Sequence, residues 1–356
     1  MSSDVPLNPT LHREGRLATI TLRKPATINA IGPEEIVAIT ALLRTAVADQ
    51  AVSTIVIRGE GERGFCAGGD IKRVHHMITS GQLDHLSEFW SEEYRLDHLI
   101  ATCPKPIVSI AHGLTLGGGV GLAAHASHRV VTDSTRMGMP EVLIGLSPDI
   151  GGLWLYSRAP GCTGVFAALT AAHLTAGDAL FMGLADHYVP DDQIDTLMDR
   201  LRHLPAAEAF TGCDDQPLRS WVAGNKDSID WVFGANSVPE ILALANSAKR
   251  DRPETAPVAD AAITALTSGS PTALAVTFEA LRRATAMADL GQCLEQDLRV
   301  GQHCSRHPDL REGIRARVVD KDRTPRWQPP TLAEVSATDT DRFFEPIGLA
   351  LQLRDW

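Results

Sequence analysis

Two glycine-rich loops, each following a short apolar run, place the strongest constraint on the fold of this 356-residue chain. Residues 53–59 (STIVIRG) and 106–111 (PIVSIA) are short, apolar and rich in β-branched side chains, as buried strands are. The first run is followed by FCAGGD at residues 65–70. The second is followed by a run of three glycines, residues 117–119, that opens a segment of helical composition. The sequence therefore predicts two strand–loop–helix units of an α/β protein.

Loops of this kind can bind a ligand through their backbone. Glycine allows close approach to the main chain, and the start of a helix presents unpaired N–H groups with a partial positive charge. Two such loops can each give one N–H group to the same oxygen, as oxyanion holes for acyl chemistry do. The Lys-Ser/Thr ending of a phosphate loop and the GxGxxG spacing are absent. On the glycines alone, a tight turn without any ligand stays open.

Two carboxylates, Glu141 and Asp149, follow the glycine run and flank a turn broken by Gly145 and Pro148. The broken backbone can bring Asp149 back towards Glu141. Two acids at one site push their pKa values apart, so that one holds a proton while the other is ionised. A carboxylate can then attack a carbonyl carbon or act as a general base on water. The alternatives are a solvated Glu at a turn and an ordinary turn Asp after proline.

Three segments, FCAGGDIK, HGLTLGGGVGL and MPEVLIGLSPDIGG, resemble the three core motifs of the crotonase (enoyl-CoA hydratase/isomerase) superfamily, in the same order and spacing. The resemblance implies a crotonase-like spiral of ββα turns with a helical C-terminal region, and an acyl-CoA substrate. It implies that the N–H groups of Gly69 and Gly118 hold the thioester oxygen, with Gly68 and Gly117 beside them as substrate contacts.

The hydratases of that superfamily carry a catalytic Glu two residues after the third glycine, where this chain has Gly121. Their second acid corresponds to Glu141, and Asp149 stands where they have a small residue. This combination resembles instead the 3-hydroxyisobutyryl-CoA hydrolase branch, as do FWSEEYRLDHLIATCPKP, GSPTALAVTFEAL and HPDLREGIRARVVDKDRTPRWQPPTLAEV. The implied activity is hydrolysis of a short 3-hydroxyacyl-CoA in valine breakdown, with Glu141 attacking the thioester or activating water and Asp149 assisting.

Further roles follow from the resemblance only. Glu93 would hydrogen-bond the 3-hydroxyl of the substrate, and Lys24 and Lys72 would contact CoA phosphates. On charge alone these three side chains would be solvated surface groups. The implied reaction needs no metal and no redox cofactor. An enoyl-CoA hydratase or isomerase, and a catalytically silent acyl-CoA-binding protein, stay open as rival functions.

Composition restricts the partners. The net charge of -11 disfavours nonspecific binding to nucleic acid or acidic membranes, and no run approaches the roughly 20 apolar residues of a membrane span. The six cysteines form no CxxC pair, which favours reduced thiols over zinc or disulfides. The N-terminal residues lack a signal-peptide pattern. We therefore expect a cytoplasmic protein. The resemblance implies a homo-oligomer, as in much of the superfamily, and replacement of the oligomer contacts by the C-terminal part stays open as the alternative.

The rest of the chain suggests two parts, a core at residues 1–204 and a mainly helical region with an extended tail at residues 205–356. Further strands are predicted at residues 16–23, 128–132 and 187–189. Helices are predicted at residues 33–48, 84–101, 158–172, 175–184, 191–203 and, as one or two helices, 271–299. Alternation of strands and helices in the first part predicts parallel pairing.

Overall fold

The computed structural model describes residues 8–212, 218–353 and 356. Its strands are β1 (Thr10–Glu14), β2 (Leu17–Leu22), β3 (Thr54–Gly59), β4 (Ile107–Ala111), β5 (Leu114–Leu116), β6 (His128–Val131), β7 (Arg136–Gly138) and β8 (His187–Tyr188). The larger sheet has the order β1-β2-β3-β4-β6-β8, and β5 pairs with β7 in a smaller one. All these pairs are parallel except β1 with β2. The predicted parallel α/β core is confirmed; β1, β5 and β7 were not predicted.

Helices surround this sheet and make up most of the C-terminal part. The first part contains α1 (Pro33–Ala48), α2 (Ile71–Thr79), α3 (Leu83–Ala101), α4 (Gly118–Ala124), α5 (Gly152–Tyr156), α6 (Thr163–Thr170), α7 (Ala176–Phe181) and α8 (Ile194–His203). The second contains α9 (Ala206–Ala209), α10 (Trp221–Gly224), α11 (Lys226–Phe233), α12 (Val238–Asp251), α13 (Ala256–Ser268), α14 (Pro271–Ala284), α15 (Leu290–Arg306), α16 (Pro308–Ile314) and α17 (Ala337–Arg342). Short 3-10 turns and a π-helix at Arg315–Val319 connect some of them.

Both faces of the larger sheet are buried, as parallel sheets require. Because side chains alternate along a strand, Ile55 and Ile57 of β3 join the main hydrophobic cluster beneath the helices. Val56, between them, joins a second cluster with Leu201 and Phe210 on the opposite face. The sheet is therefore a rigid layer, and the loops at its edge project from a fixed base.

Helix α3 packs against α2 and α4, the helices that follow the two glycine loops. Its buried face carries Phe89, Trp90, Glu93, Tyr94 and Asp97, at the spacing of three and four residues that defines one side of a helix. Three of these five side chains are ionisable, which is uncommon on a fully buried face. Helix α3 thus places ionisable side chains, as well as apolar ones, in the interior.

Two predicted helices are shorter than expected. The helix predicted at residues 158–172 begins only at Thr163, since Pro160 precedes Gly161, whose φ of +60° lies outside the helical region. The helix predicted at residues 175–184 spans Ala176–Phe181, and Gly183 with a φ of +73° follows it. Glycine and proline set these boundaries more closely than apolar periodicity does.

The C-terminal helices pack directly on the first part of the chain. Helix α15 lies against α3, and at Gly301 a Cβ would stand 3.3 Å from the Trp90 ring, so the small residue permits the close approach. Buried apolar residues of both parts belong to one hydrophobic cluster. The predicted helical C-terminal region is confirmed, whereas its boundary at residues 204/205 stays a prediction.

Two observations bear on membrane spans and cysteines. Within the described chain no single helix is long and apolar enough to cross a membrane; Pro253–Ser268 and Pro271–Ala284 qualify only as a pair bent by 119°. The free thiols in the described residues are Cys66, Cys103, Cys162, Cys293 and Cys304, and Cys213 lies outside those residues.

Candidate active site

The first glycine loop, residues 65–70, runs alongside β5 like an added parallel strand. Cys66 accepts a hydrogen bond from the N–H of Leu116 at 2.9 Å and donates its own N–H to the oxygen of Leu114 at 3.2 Å. On its other side the N–H of Ile31 donates to the Gly68 oxygen at 3.0 Å. These hydrogen bonds hold the loop on both sides, next to the start of α4.

The two glycine loops meet at this point. A Cβ on Gly68, whose φ is +88°, would lie 2.6 Å from the Leu116 oxygen and 3.1 Å from the Gly118 nitrogen. Gly118 is the first residue of α4, so its N–H has no acceptor within the helix. Among the hydrogen bonds of the described residues, none is donated by the N–H of Gly69. The convergence of these two N–H groups on one oxygen stays a prediction.

A cavity of about 260 Å³ lies over the loops. Its wall includes the four glycines predicted to contact substrate, Gly68, Gly69, Gly117 and Gly118. The same wall includes the three acids predicted to bind the substrate or to take part in catalysis, Glu93, Glu141 and Asp149. The structure therefore gathers seven of the nine predicted site residues, from four separate segments of the chain, around one space.

Glu141 begins a 3-10 turn, Glu141–Leu143, directly after β7 and Pro140. Its backbone oxygen accepts hydrogen bonds from Ile144 at 2.9 Å and from Leu146 at 3.1 Å, which hold the turn. Its Oε1 would be 2.8 Å from a Cβ on Gly117, so the carboxyl group lies against the glycine loop. Its Oε2 is buried and has no hydrogen-bond partner among the described residues. A carboxyl group left this way is available to a substrate.

Asp149 returns to the cavity because the backbone after Pro148 turns sharply. Ile150 and Gly151 both have positive φ, +53° and +71°, and the N–H of Gly152 donates to the Asp149 oxygen at 2.7 Å. The ring of His125 supports the turn, with Nε2 donating to the Ile150 oxygen at 2.7 Å. This tight turn places the Asp149 carboxyl group on the same cavity wall as Glu141.

The Tyr94 hydroxyl donates a hydrogen bond to Asp149 Oδ2 at 2.7 Å. Burial raises the pKa of Asp149 to about 6, while this hydrogen bond acts in the opposite direction by stabilising the carboxylate. Burial also raises the pKa of Glu141 well above its usual value, and the charge of Asp149 raises it further. Asp149 is therefore the first of the two to ionise, and the pair holds a single proton near neutral pH.

Glu93 is the third acid of the cavity and lies on the opposite side of the second loop. A Cβ on Gly118 would overlap its Oε1, so glycine is required there for the acid to fit. Burial, and then the charge of Asp149, raise the pKa of Glu93 well above its ordinary value. A neutral Glu93 can both donate and accept a hydrogen bond, which suits a hydroxyl-bearing ligand.

Two further acids, Asp97 and Asp297, lie behind the cavity and were not predicted. Asp97 is 1% exposed, and neither of its oxygens has a hydrogen-bond partner among the described residues. Asp297 of α15 accepts a hydrogen bond from the N–H of Gly151 at 2.8 Å and so supports the Asp149 turn. Burial is the first cause that raises the pKa of each well above its usual value. The only sequence signal was the four-residue spacing of Asp97 from Glu93 on one helix face.

The two lysines predicted to contact CoA do not reach the cavity wall. Lys24 pairs with Glu35 at 3.0 Å, and Lys72 is exposed on α2. The basic residue that does line the wall is Arg317, from the π-helix after α16. The contact of Lys24 and Lys72 with CoA stays a prediction. The sequence analysis did not predict Arg317 as a cavity residue. No group of three or more potential metal-ligating His, Cys, Asp or Glu side chains occurs in the described residues.

Comparison with known proteins covers nearly the whole chain. A family model described as "Enoyl-CoA hydratase/isomerase" matches residues 17–344. The curated relatives include "3-hydroxyisobutyryl-CoA hydrolase, mitochondrial" of Gallus gallus and of Rattus norvegicus, 34% and 35% identical, each match covering 95% of this chain and 89% of the relative. The protein of that name from Dictyostelium discoideum is 31% identical over 96% of this chain and 92% of its own length.

Solved structures give the same fold under other names. A carnitinyl-CoA dehydratase from Mycobacterium thermoresistibile is 38% identical with a TM-score of 0.90, over 97% of this chain and 98% of that one. An enoyl-CoA hydratase from Rhodobacter sphaeroides 2.4.1 is 37% identical with a TM-score of 0.90, over 98% of this chain and 100% of that one. The crotonase-like fold expected from the three motifs is thereby confirmed.

The prediction of a cytoplasmic protein is wrong. The curated relatives at 31–35% identity are named mitochondrial enzymes, which overturns it. The reasoning failed because the lack of a secretory signal pattern speaks against export and says nothing about import into an organelle. The expectation used residues 1–9 (MSSDVPLNP), of which residues 1–7 lie outside the described residues.

Proposed function

The chain belongs to the enoyl-CoA hydratase/isomerase family, and from that premise we propose that it hydrolyses 3-hydroxyisobutyryl-CoA to 3-hydroxyisobutyrate and CoA. The observation that carries the proposal is the presence of Glu141 and Asp149 on one wall of the cavity that both glycine loops line. The names of the curated relatives support this activity, and with it a place in valine breakdown.

The glycine loops are proposed to stabilise the negative charge that develops on the thioester oxygen. The N–H groups of Gly69 and Gly118 are the donors, and both are free of acceptors in the loop geometry described above. Donors fixed before the reaction cost no reorganisation when the charge forms, and each contributes about a hundredfold to a thousandfold in rate. The adjoining Gly68 and Gly117 keep this wall flat enough for the acyl group.

Glu141 and Asp149 are proposed to work as a pair that shares one proton. Glu141 is assigned to the thioester carbon because its Oε1 lies against the glycine loop, 2.8 Å from a Cβ built on Gly117, and its Oε2 has no hydrogen-bond partner among the described residues. In the water route, the ionised pair takes a proton from water as the water oxygen bonds to the carbonyl carbon. The carbon–sulfur bond then breaks, and the pair returns a proton to the CoA thiolate. In the anhydride route, Asp149 takes the proton of the pair as a Glu141 oxygen bonds to the carbonyl carbon. The carbon–sulfur bond then breaks, the CoA thiolate leaves with that proton, and water later cleaves the anhydride.

An isotope experiment separates these routes. Hydrolysis is run as a single turnover in heavy-oxygen water. In the anhydride route, attack of water on the Glu141 carbonyl carbon leaves the label in the Glu141 carboxyl group, and the product then carries an unlabelled oxygen from Glu141. The water route leaves Glu141 unlabelled after any number of turnovers. Mass spectrometry of the peptide that contains Glu141 reads the result directly.

The function itself is tested by thiol release from a panel of acyl-CoA esters. We expect 3-hydroxyisobutyryl-CoA to release free CoA fastest, with no metal or redox cofactor added. A second candidate, hydration of an enoyl-CoA, is favoured by the titles of the two solved structures at 37–38% identity. Against it, position 121 is a glycine packed on Asp97. Hydration of crotonyl-CoA without thiol release would replace the proposed function with this one.

Absence of nucleic-acid and membrane partners belongs to the proposal as well, supported by the net charge of -11. Self-association is proposed in the same sense, and light scattering of the purified chain measures it.

A further inference from the structure

A second space, here called the outer groove, borders the active-site cavity. It has a volume of about 590 Å³ and lies among α1, α2, α3 and the C-terminal segment. Its wall includes Pro33, Val37, Met77, Phe89, Arg95 and Leu349. Within the described part of the chain, Phe89 is the one residue that lines both the outer groove and the active-site cavity. The side chain of Phe89 therefore stands between the two spaces.

The Phe89 ring lies beside the first glycine loop. Its Cζ is 4.0 Å from the position of a Cβ on Gly69, which is an ordinary van der Waals separation. Glu93 follows four residues later on the same face of α3, and its carboxyl group lies against Gly118. The ring and the carboxyl group thus each adjoin one of the two proposed oxyanion donors. An acyl group with its carbonyl oxygen at both donors and its 3-hydroxyl at Glu93 lies along α3, next to the ring.

The boundary between the two spaces runs between α2 and α3, which pack against each other. On α2, Val74 lines the active-site cavity, and Met77, one turn later, lines the outer groove. Both side chains are buried, and Phe89 is 5% exposed. The boundary is therefore made of apolar side chains, and shortening one of them leaves no polar group unpaired.

The outer groove offers apolar surface beyond this boundary. Met77 is buried at its inner end, and Val37 and Leu349 are 61% and 41% exposed. These two are among only four large apolar side chains that are exposed in the described residues. The two arginines of the groove wall each pair with a glutamate. A hydrocarbon chain that entered the groove would meet apolar side chains and neutralised charges.

We propose that Phe89 determines the acyl-chain length that the enzyme accepts, by closing the active-site cavity off from the outer groove. A 3-hydroxyisobutyryl group ends at the ring, whereas a long straight chain would have to pass through it. The inference rests on the proposed function for the position of the acyl group. It deepens that function by assigning the preference for short acyl groups to one side chain.

The test measures thiol release from 3-hydroxyisobutyryl-CoA and 3-hydroxyoctanoyl-CoA in wild-type protein and in Phe89→Ala. We expect the ratio of kcat/KM for the long ester to that for the short ester to rise by about tenfold to a hundredfold. Each methylene group buried on apolar surface contributes about fourfold in affinity, and part of the groove is polar. Phe89→Leu keeps an apolar side chain at the boundary and should raise the ratio less, so it also serves if Phe89→Ala does not fold.

A second substitution tests the route of the chain. Val37 is mostly exposed on α1 and lines the outer groove, so Val37→Trp fills the groove without disturbing the core. Added to Phe89→Ala, it should remove most of the gain with the long ester. Phe278→Ala is the matched control, because Phe278 is a half-buried phenylalanine of α14 that lines neither space. It should leave the ratio unchanged.

Three results would overturn the proposal. Equal losses of kcat/KM for both esters in Phe89→Ala would show that the ring only supports the Gly69 loop. Equal kcat/KM for both esters in wild-type protein would show that the ring sets no limit on chain length. Persistence of the long-ester gain after addition of Val37→Trp would show that the chain does not enter the outer groove.

Calorimetry separates this inference from the proposed function. If no thioester is hydrolysed but 3-hydroxyoctanoyl-CoA binds Phe89→Ala more tightly than wild-type protein, the function fails and the chain-length limit stands. If thioesters are hydrolysed and the ratio for the two esters is the same in both proteins, the chain-length limit fails and the function stands.

Discussion

The buried acids of the site fall into two sets, which differ in whether their carboxyl groups reach the cavity. Glu93, Glu141 and Asp149 line the cavity, whereas Asp97 and Asp297 lie behind it. Burial is the first cause of a raised pKa in all five. Only the front set can touch a substrate, so a raised pKa by itself does not mark a catalytic group in this protein. The cavity wall, rather than the shift, divides acids that act from acids that support.

The largest expected effect tests this division at Glu141. Glu141→Gln keeps the shape of the side chain and removes its ability to ionise, so thiol release should fall by roughly a thousandfold, within the range for general acid–base groups. CoA binding, measured by calorimetry, should persist. Asp97→Asn is the matched control from the rear set and should keep most of its turnover. Full activity of Glu141→Gln would refute the catalytic role of Glu141. Equal losses of thiol release in Glu141→Gln and Asp97→Asn would show that the two sets of acids do not differ in function.

A smaller effect is expected from Glu93, the front acid proposed to bind the substrate's hydroxyl. Wild-type protein should hydrolyse isobutyryl-CoA more slowly than the 3-hydroxy compound by roughly tenfold to a hundredfold, because a buried carboxyl group would be left unpaired. Glu93→Leu should narrow that ratio, because its side chain can neither donate nor accept a hydrogen bond. Glu92→Leu serves as control, since Glu92 pairs with Arg95 and does not line the cavity. Equal rates for the two esters in wild-type protein would remove the assignment.

Gly121 probes the rear set through stability. A Cβ at this position would lie 2.5 Å from Asp97 Oδ1 and 2.9 Å from its Cγ, so Gly121→Ala should lower the free energy of unfolding by about 1–3 kcal/mol through overpacking. Adding Asp97→Ala should restore much of the loss. Gly224→Ala is the control, because nothing lies within 4 Å of its added Cβ. Denaturant unfolding measures all three variants, and an unchanged free energy of unfolding in Gly121→Ala would contradict the close packing of Gly121 on Asp97.

Local signals explain what the sequence predicted well. Runs of glycine and of β-branched residues indicate loops and strands from only a few neighbouring residues. The loops at Gly68 and Gly118, and the parallel strands that precede them, could therefore be predicted. The edge strand β1 was missed because its sequence TLHRE is mostly exposed in the structure and lacks an apolar face. Strands β5 and β7 have only three residues each, too few for periodicity to register.

Contacts between distant segments explain what was missed. The bond from Tyr94 to Asp149 spans 55 residues, that from Gly151 to Asp297 spans 146, and that from Arg317 to Leu143 spans 174. In the sequence Tyr94 is one more aromatic residue of a helix face, and Arg317 is one of many charged residues of both signs in the C-terminal segment. Only the fold shows that the first stabilises a carboxylate and that the second lines the active-site cavity.

The smallest expected effect concerns Tyr94, which joins the two sets because it lies on the buried face of α3 and donates to a front acid. Since the pKa of Asp149 is about 6, kcat/KM should fall as the pH drops below about 6, where the pair becomes fully protonated and no carboxylate is left. Tyr94→Phe removes the donor that stabilises the Asp149 carboxylate. The acid limb should therefore move to higher pH by about one to two units, since a charged hydrogen bond contributes about 1.5–3 kcal/mol and one pKa unit is 1.36 kcal/mol.

Tyr188→Phe is the control, because its hydroxyl donates to Asp133, whose carboxyl group does not line the cavity. A second readout follows from the same raised pKa. The native state holds the Asp149 proton more tightly than the unfolded state does, so this acid makes the free energy of unfolding fall as the pH rises from about 4 to above 6. Asp149→Asn removes that slope contribution. If the acid limb stays in place in Tyr94→Phe, the group that titrates near pH 6 is not Asp149, and the pairing of Glu141 with Asp149 through one shared proton fails with it.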